Sequence, residues 1–249
     1  MALQKIHLII RDAGIESRRN AEQMIRDGRV TVNGQIVTDP SVTADPQKDH
    51  IKVDGKLVRI SEIQGVYYLF NKPRFVVSTM KDPEGRPCVG DLIKSLKKRL
   101  FTVGRLDFDA EGLMLLTNDG LLAQKMSHPS SRVPRTYMVK IKGVPDDREL
   151  GAIRKGMSIG EGERVGEIAW TVVKRQKTSA WIKMTLHEGK KNEIKRIFAR
   201  IRHPVRKIRR IGFGPLTLGA LAVGTWRPLT KAEIAKVCSL VPKKSEAGR

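Results

Sequence analysis

Short apolar runs closed off by turn residues punctuate this chain from residue 66 onward, and they restrict it to a sheet-centred fold. Val66-Tyr67-Tyr68-Leu69-Phe70 stops at Asn71-Lys72-Pro73, and Leu113-Met114-Leu115-Leu116 stops at Asn118-Asp119-Gly120. Runs of that length between turn signals read as buried strands. Further strands are expected at 137–141, 168–173 and 180–186, and helices at 91–96, 121–126 and 192–201, the last one basic. Many strands and few helices argue for an α+β domain with a mixed, mostly antiparallel sheet.

The first sixty residues follow another pattern. Ile6, Leu8, Ile9 and Ile10 lead into Asp12-Ala13-Gly14, with Gly14 as a helix stop. Ser17 is the expected N-cap of a helix over 18–27, in which Ala21, Met24 and Ile25 form a core-facing stripe. Residues 29–37 alternate around Asn33-Gly34, a strong hairpin signal, and a strand at 51–55 completes the unit. The polar stretch from Ser61 to Gly65 marks a boundary. Two domains are therefore expected, 1–62 and 63–240, with 241–249 as a disordered tail.

Charge narrows the class of partner. Lys and Arg number 48 against 26 Asp and Glu, a net charge of +22, which draws the chain toward a polyanion. A membrane is not the expected polyanion, because no apolar run approaches the roughly 18 residues needed to span a bilayer. The N-terminus lacks a signal-peptide layout. Cys88 and Cys238 lie too far apart for a CxxC site, and the histidines show no ligand spacing. Neither a P-loop nor a dinucleotide fingerprint is present. The expectation is a cytoplasmic, monomeric protein that acts on nucleic acid without metal or cofactor.

Two constellations sharpen this. Gly14-Ile15-Glu16-Ser17-Arg18-Arg19-Asn20-Ala21-Glu22 followed by Gly28-Arg29-Val30-Thr31-Val32-Asn33-Gly34 sets two arginines at a helix start, where charge and unpaired amides meet a phosphate. The combined pattern resembles the S4 RNA-binding domain over about residues 1 to 60. That resemblance implies a grip on structured RNA through shape and phosphate contacts, with Arg18, Arg19 and Arg29 as candidates. The second constellation is Val103-Gly104-Arg105-Leu106-Asp107-Phe108-Asp109-Ala110-Glu111-Gly112, running into the apolar strand and Thr117-Asn118-Asp119-Gly120. A carboxylate in a loop ahead of a buried strand has a rigid support, although alone Asp107 reads more readily as a cap or turn residue.

The whole string resembles the signature of the RsuA-like pseudouridine synthases. Asn71-Lys72-Pro73 with Val76-Val77-Ser78-Thr79, Arg135-Thr136-Tyr137, the segment 188–198, and Arg210-Ile211-Gly212-Phe213-Gly214-Pro215-Leu216 match that family in the same order. The similarity spans residues 1 to about 240 and is greatest to the ribosomal large subunit pseudouridine synthase B group. Phe75 departs from the glycine usual there, Ala110 from Thr or Ser, and Glu193 from Gln.

The resemblance implies isomerisation of uridine in ribosomal RNA, alone or in a pre-ribosomal particle. Asp107 would be the catalytic carboxylate, Tyr137 the ring stacked on the target base, and Lys195 the cation beside Asp107, with Arg196 second. Arg105, Arg135, Arg196, Arg209 and Arg210 join the candidate RNA contacts. The 23S molecule is favoured over the 16S. The rival reading is a non-catalytic S4-type ribosome assembly factor. Whether Asp107 attacks C1′, adds to the base or removes a sugar proton stays open.

Overall fold

The computed structural model describes residues 3–59 and 65–240. The chain divides into two compact units, Met1–Gly65 and Val66–Arg249. The expected tail at 241–249 and most of the expected boundary stretch lie outside the described residues.

In the first unit, β1 (Gln4–Lys5) leads into α1 (Ile6–Asp12), and α2 (Arg18–Arg26) follows. The Ser17 side chain accepts from the Asn20 backbone amide at 3.1 Å, the cap its position predicts. Strands β2 (Val30–Val32), β3 (Gln35–Val37), β5 (Ile51–Val53) and β6 (Lys56–Leu57) form a four-stranded sheet in the order β3-β2-β5-β6, while β4 (Thr43–Ala44) pairs with β1. Asn33 at φ 51° and Gly34 at φ 86° make the expected tight turn. Asp54 at φ 48° and Gly55 at φ 75° make a second one, so the last strand closes as another hairpin. Ile6, Ile9 and Ile10 of α1, Ala21 and Ile25 of α2, Val30 of β2 and Ile51 of β5 are buried together.

The second unit is built on one nine-stranded sheet. Its strands are β7 (Tyr67–Lys72), β8 (Phe101–Val103), β9 (Glu111–Thr117), β10 (Arg135–Lys142), β13 (Ala169–Gln176), β14 (Ser179–Leu186), β15 (Val205–Phe213), β16 (Leu216–Thr217) and β17 (Trp226–Pro228). The order is β13-β14-β10-β15-β9-β7-β17, with β8 on β9 and β16 on β15. Every pairing is antiparallel except β15 with β9, where Arg209 faces Glu111 and Arg210 faces Gly112. β9 is buried along its whole length, as an uninterrupted apolar run at the centre of a sheet should be. β10 alternates buried and half-buried positions, the period of a strand with one face in the core.

Around the sheet lie α3 (Val89–Leu92), α4 (Gly120–Ser127), α5 (Asp147–Arg154), α6 (Glu193–Arg200) and α7 (Lys231–Cys238), with a small hairpin of β11 (Met157–Gly160) and β12 (Glu163–Val165). The expected helix over 91–96 is two pieces, α3 and a 3₁₀ turn at Lys94–Leu96. One core joins β10, β14 and Ile208 to Leu150 and Ile153 of α5 and to Ile194, Ile197 and Phe198 of α6. A second joins Leu69, Leu113, Leu115 and Phe213 to Leu122 and Met126 of α4 and to Val237 of α7.

One glycine is decisive. Gly112 sits at φ 117°, and a Cβ there would stand 2.2 Å from the Arg210 carbonyl oxygen. Only glycine lets β9 and β15 approach so closely.

Candidate active site

Asp107 lies in the loop between β8 and β9, beside the parallel β9–β15 seam, and its side chain is exposed. Several fasteners hold this loop from behind. The Ser78 hydroxyl donates to the Leu106 carbonyl at 2.6 Å and accepts from the Leu106 amide at 3.0 Å. Lys72, wholly buried, donates from Nζ to the carbonyls of Pro73 at 2.9 Å, Asp107 at 3.3 Å and Ala110 at 2.9 Å. Arg74 Nε donates to the Asp109 carbonyl at 3.0 Å, and the Ala110 amide donates to the Asp107 carbonyl at 3.1 Å. From the β15 side, Arg210 donates to the carbonyls of Leu113 at 2.7 Å and Arg105 at 3.3 Å. These bonds fix the loop backbone, while Asp107 itself stays exposed. A reacting group needs that preorganised frame.

The loop forms one wall of a cleft of about 910 Å³, which Tyr137, Ile208, Glu193 and Lys195 also line. Tyr137, on β10, is nearly buried, and its ring faces the core between α6 and the sheet. Its hydroxyl neighbours the Arg210 guanidinium, whose pKa is lowered by burial against that opposing influence.

Titratable groups around the cleft are perturbed by identifiable causes. Burial lowers Lys72 to about 8, although the charges of Asp107 and Asp109 pull the other way. Partial burial raises the Asp109 carboxyl, but the hydrogen bond and charge of Lys195, with Arg74 behind them, outweigh it and leave it below the usual carboxylate value. Burial raises Glu193, against the Lys190 amide that donates to it at 3.1 Å. Among the described residues no group of three or more His, Cys, Asp or Glu is placed to hold a metal ion. No helix among them is long and apolar enough to cross a membrane.

The cleft brings Asp107, Tyr137, Lys195, Arg105 and Arg135 together. The expected ion pair is different, however. Lys195 Nζ reaches Asp109 Oδ1 at 2.7 Å rather than Asp107. Asp107 is exposed, so water already surrounds its carboxylate in the free protein, while Asp109 points at α6.

Three of the expected RNA contacts on this unit serve the fold instead. Arg210 is 1% exposed and donates inward, to the carbonyls of Leu113 on β9 and Arg105 in the loop. Arg135 is 7% exposed and donates to the carbonyls of Glu188 at 3.2 Å and of Met126 and Ser127 at 3.4 Å. Arg196 braces the β11–β12 hairpin through Ile159 at 3.1 Å and Gly160 at 2.7 Å, with Glu163 as its ion partner. A strand or helix position that looks basic in sequence becomes internal when unpaired carbonyls need donors. Arg209 points to the opposite side of β15 from Arg210, where Glu111 lies 3.9 Å away. Arg105 remains exposed.

On the first unit, Arg18 pairs with Glu22 at 2.9 Å and Arg29 with Asp54 at 2.6 Å, while Arg19 is exposed. All three keep surface access, and exposed pairs of this kind open easily.

Sequence reasoning assigned no role to Lys72, Arg74 or Asp109. For Lys72 a signal existed: a lysine ending an apolar strand just before proline is positioned to fold inward onto a turn.

The family profile described as RNA pseudouridylate synthase matches residues 66–200, and the S4 domain profile matches residues 4–49. A ribosomal large subunit pseudouridine synthase B of Bacillus subtilis is 36% identical over 96% of this chain and 97% of its own length. An uncharacterized RNA pseudouridine synthase of Mycobacterium tuberculosis is 42% identical over 95% of this chain and 94% of its own. A crystal structure of a pseudouridylate synthase superposes with a TM-score of 0.68 at 28% identity, covering 95% of this chain and all of that one. With its family profile set over the sheet and the Asp107 loop, and an S4 domain ahead of it, the chain belongs to the RNA pseudouridylate synthase family, whose members are isomerases.

Proposed function

We propose that this chain isomerises uridine to pseudouridine in ribosomal RNA, and in the 23S molecule in particular, with Asp107 as the reacting carboxylate. The observation that carries the assignment is the exposed Asp107 side chain on a loop pinned by Lys72, Ser78, Arg74 and Arg210, in a cleft that Tyr137 also lines. The name of the Bacillus subtilis relative favours the large-subunit RNA. In this reading residues 1–62 grip the RNA, residues 63–240 carry out the chemistry, and the protein works as a monomer in the cytoplasm.

The reaction breaks the N1–C1′ bond and forms a C5–C1′ bond. The C5 hydrogen leaves as a proton and N1 takes one up, so no oxidant, reductant or group donor is required. The uridine must first leave its stack, at a cost of a few kcal/mol. Stacking on Tyr137 offsets about 1–3 kcal/mol of that. Asp107 then acts in its ionised form. Once RNA covers the cleft and excludes water, the nearby Lys195 ammonium becomes the available countercharge.

Mapping pseudouridines in ribosomal RNA with and without the protein tests the assignment. One or more 23S uridines should lose modification in its absence, regain it with the unaltered chain, and fail to regain it with Asp107→Asn. Asp107→Asn should still bind the RNA. Normal pseudouridine yield from Asp107→Asn would remove the assignment.

A further inference from the structure

Phe75 and Phe108 stand at the rim of the Asp107 loop with no part in either core. Phe75 is 55% exposed and Phe108 46% exposed. Their rings meet edge to face, with centroids 5.7 Å apart and planes at 61°. The Arg74 guanidinium lies over the Phe75 ring, 4.8 Å from its centroid. Two neighbouring aromatic rings are thus displayed to solvent beside the proposed reacting carboxylate, with a half-buried cation stacked on one of them.

The backbone at Phe75 disfavours a bulky side chain. It sits at φ 62°, a left-handed conformation that is an outlier for a bulky residue. The bend turns the Phe75 amide onto the Phe108 carbonyl at 2.6 Å and returns the chain to the core at Val76. Glycine would make the same bend without steric cost. The side chain therefore brings strain and buries little in return. Strain kept at the edge of a site points to use by a ligand.

We infer that Phe75 and Phe108 form a stacking platform for an unpaired RNA base next to the target uridine, with Arg74 neutralising adjoining phosphate. The inference rests on the assignment of Asp107 above, because Phe108 follows that residue directly and places the platform one step from the reacting position. Extrusion of a uridine leaves its neighbours without a stacking partner. An aromatic ring replaces that partner whatever the base, since every base has a π-face. Arg74 and Arg105 supply the positive charge that such a strand needs.

The test compares full-length proteins carrying Asp107→Asn, so that nothing turns over during the measurement. Affinity for a short fluorescein-labelled oligouridylate is read by anisotropy, beside an abasic ribose-phosphate oligomer of equal length. Phe75→Gly should weaken binding of the oligouridylate about tenfold, near 1.4 kcal/mol, and leave the abasic oligomer within about twofold. Phe108→Ala should act in the same direction, and Phe75→Trp should keep the affinity. Phe75→Gly should melt no lower than its parent, because the strain is relieved. Unchanged affinity for the oligouridylate overturns the inference, and is the result expected if the rings dock a protein instead. Equal losses on both oligomers, or a lower melting temperature for Phe75→Gly, overturn it as well. The enzymatic reading fails separately, through absence of pseudouridine formation by the unaltered chain.

Discussion

Lys195 and Asp109 form an ion pair 2.7 Å long between α6 and the Asp107 loop, and Asp107, two residues earlier, stays outside it. Both partners keep about a third or more of their side-chain surface in water, 34% and 43%. A pair that exposed contributes at most about 1 kcal/mol. Lys195 is therefore held near the cleft by a bond weak enough to exchange, as the proposed mechanism requires.

Asp109→Asn should accordingly change stability by less than about 1 kcal/mol and keep most of the activity. Lys195→Met should lower the single-turnover rate by about 10²-fold or more with little change in melting temperature. Equal rate losses in the two variants would show that the pair itself, and not its lysine, is what matters.

Lys72 makes the loop sensitive to alkali. Its folded-state pKa is about 8, lowered by burial from 10.5. Below about 8 the ammonium supplies all three of its donors to Pro73, Asp107 and Ala110, and above that pH one donor is lost. The single-turnover rate should fall on the alkaline side with a midpoint near 8. Stability runs the opposite way. Between about 8 and 10.5 the unfolded chain holds a proton that the folded chain has released, so this group's contribution to stability rises with pH there. In Lys72→Met the alkaline limb should vanish; its persistence at the same midpoint would assign it to another group.

Gly112→Ala should abolish folding or cost more than about 4 kcal/mol in urea unfolding, since its Cβ would meet the Arg210 carbonyl at 2.2 Å. Gly151→Ala, in the middle of α5 with nothing within 4 Å of the new methyl, should stabilise by about 0.5–1 kcal/mol. Matching effects at the two glycines would contradict the close approach of β9 to β15.

Replacing Arg18, Arg19 and Arg29 together by alanine should reduce the slope of log K against log salt by up to about 2–3 for ribosomal RNA, close to one per lost phosphate contact. Melting should barely change, because their ion pairs are exposed. An unaltered slope would take the RNA grip away from these three arginines.

Elements set by local chemistry were legible in the sequence. The Asn33-Gly34 turn, the Ser17 cap and the apolar strands β7, β9, β10 and β14 follow from neighbours within a few residues. β15 was not legible: Arg206, Lys207, Arg209 and Arg210 make it read as polar, yet it lies between β10 and β9. Its character comes from partners about a hundred positions away, among them the Leu113 and Arg105 carbonyls that receive Arg210. Helices α5 and α7 were missed although each announces itself with a capping box, Asp146 with Glu149 and Thr230 with Glu233. The choice of Asp109 over Asp107 by Lys195 is a matter of side-chain direction, which spacing along the chain does not encode.

The joining of β15 to β9 also sets a schedule for assembly. Arg209 meets Glu111 and Arg210 meets Gly112 across nearly a hundred intervening residues, and closing so long a loop is entropically late work. A nascent chain still short of Arg210 has no guanidinium to seat beneath the Arg105 carbonyl. Synthesis must therefore pass Arg210 before the Asp107 turn is fully seated. In pulsed hydrogen exchange during refolding, amides of residues 105–110 should gain protection after those of β7 and the body of β9.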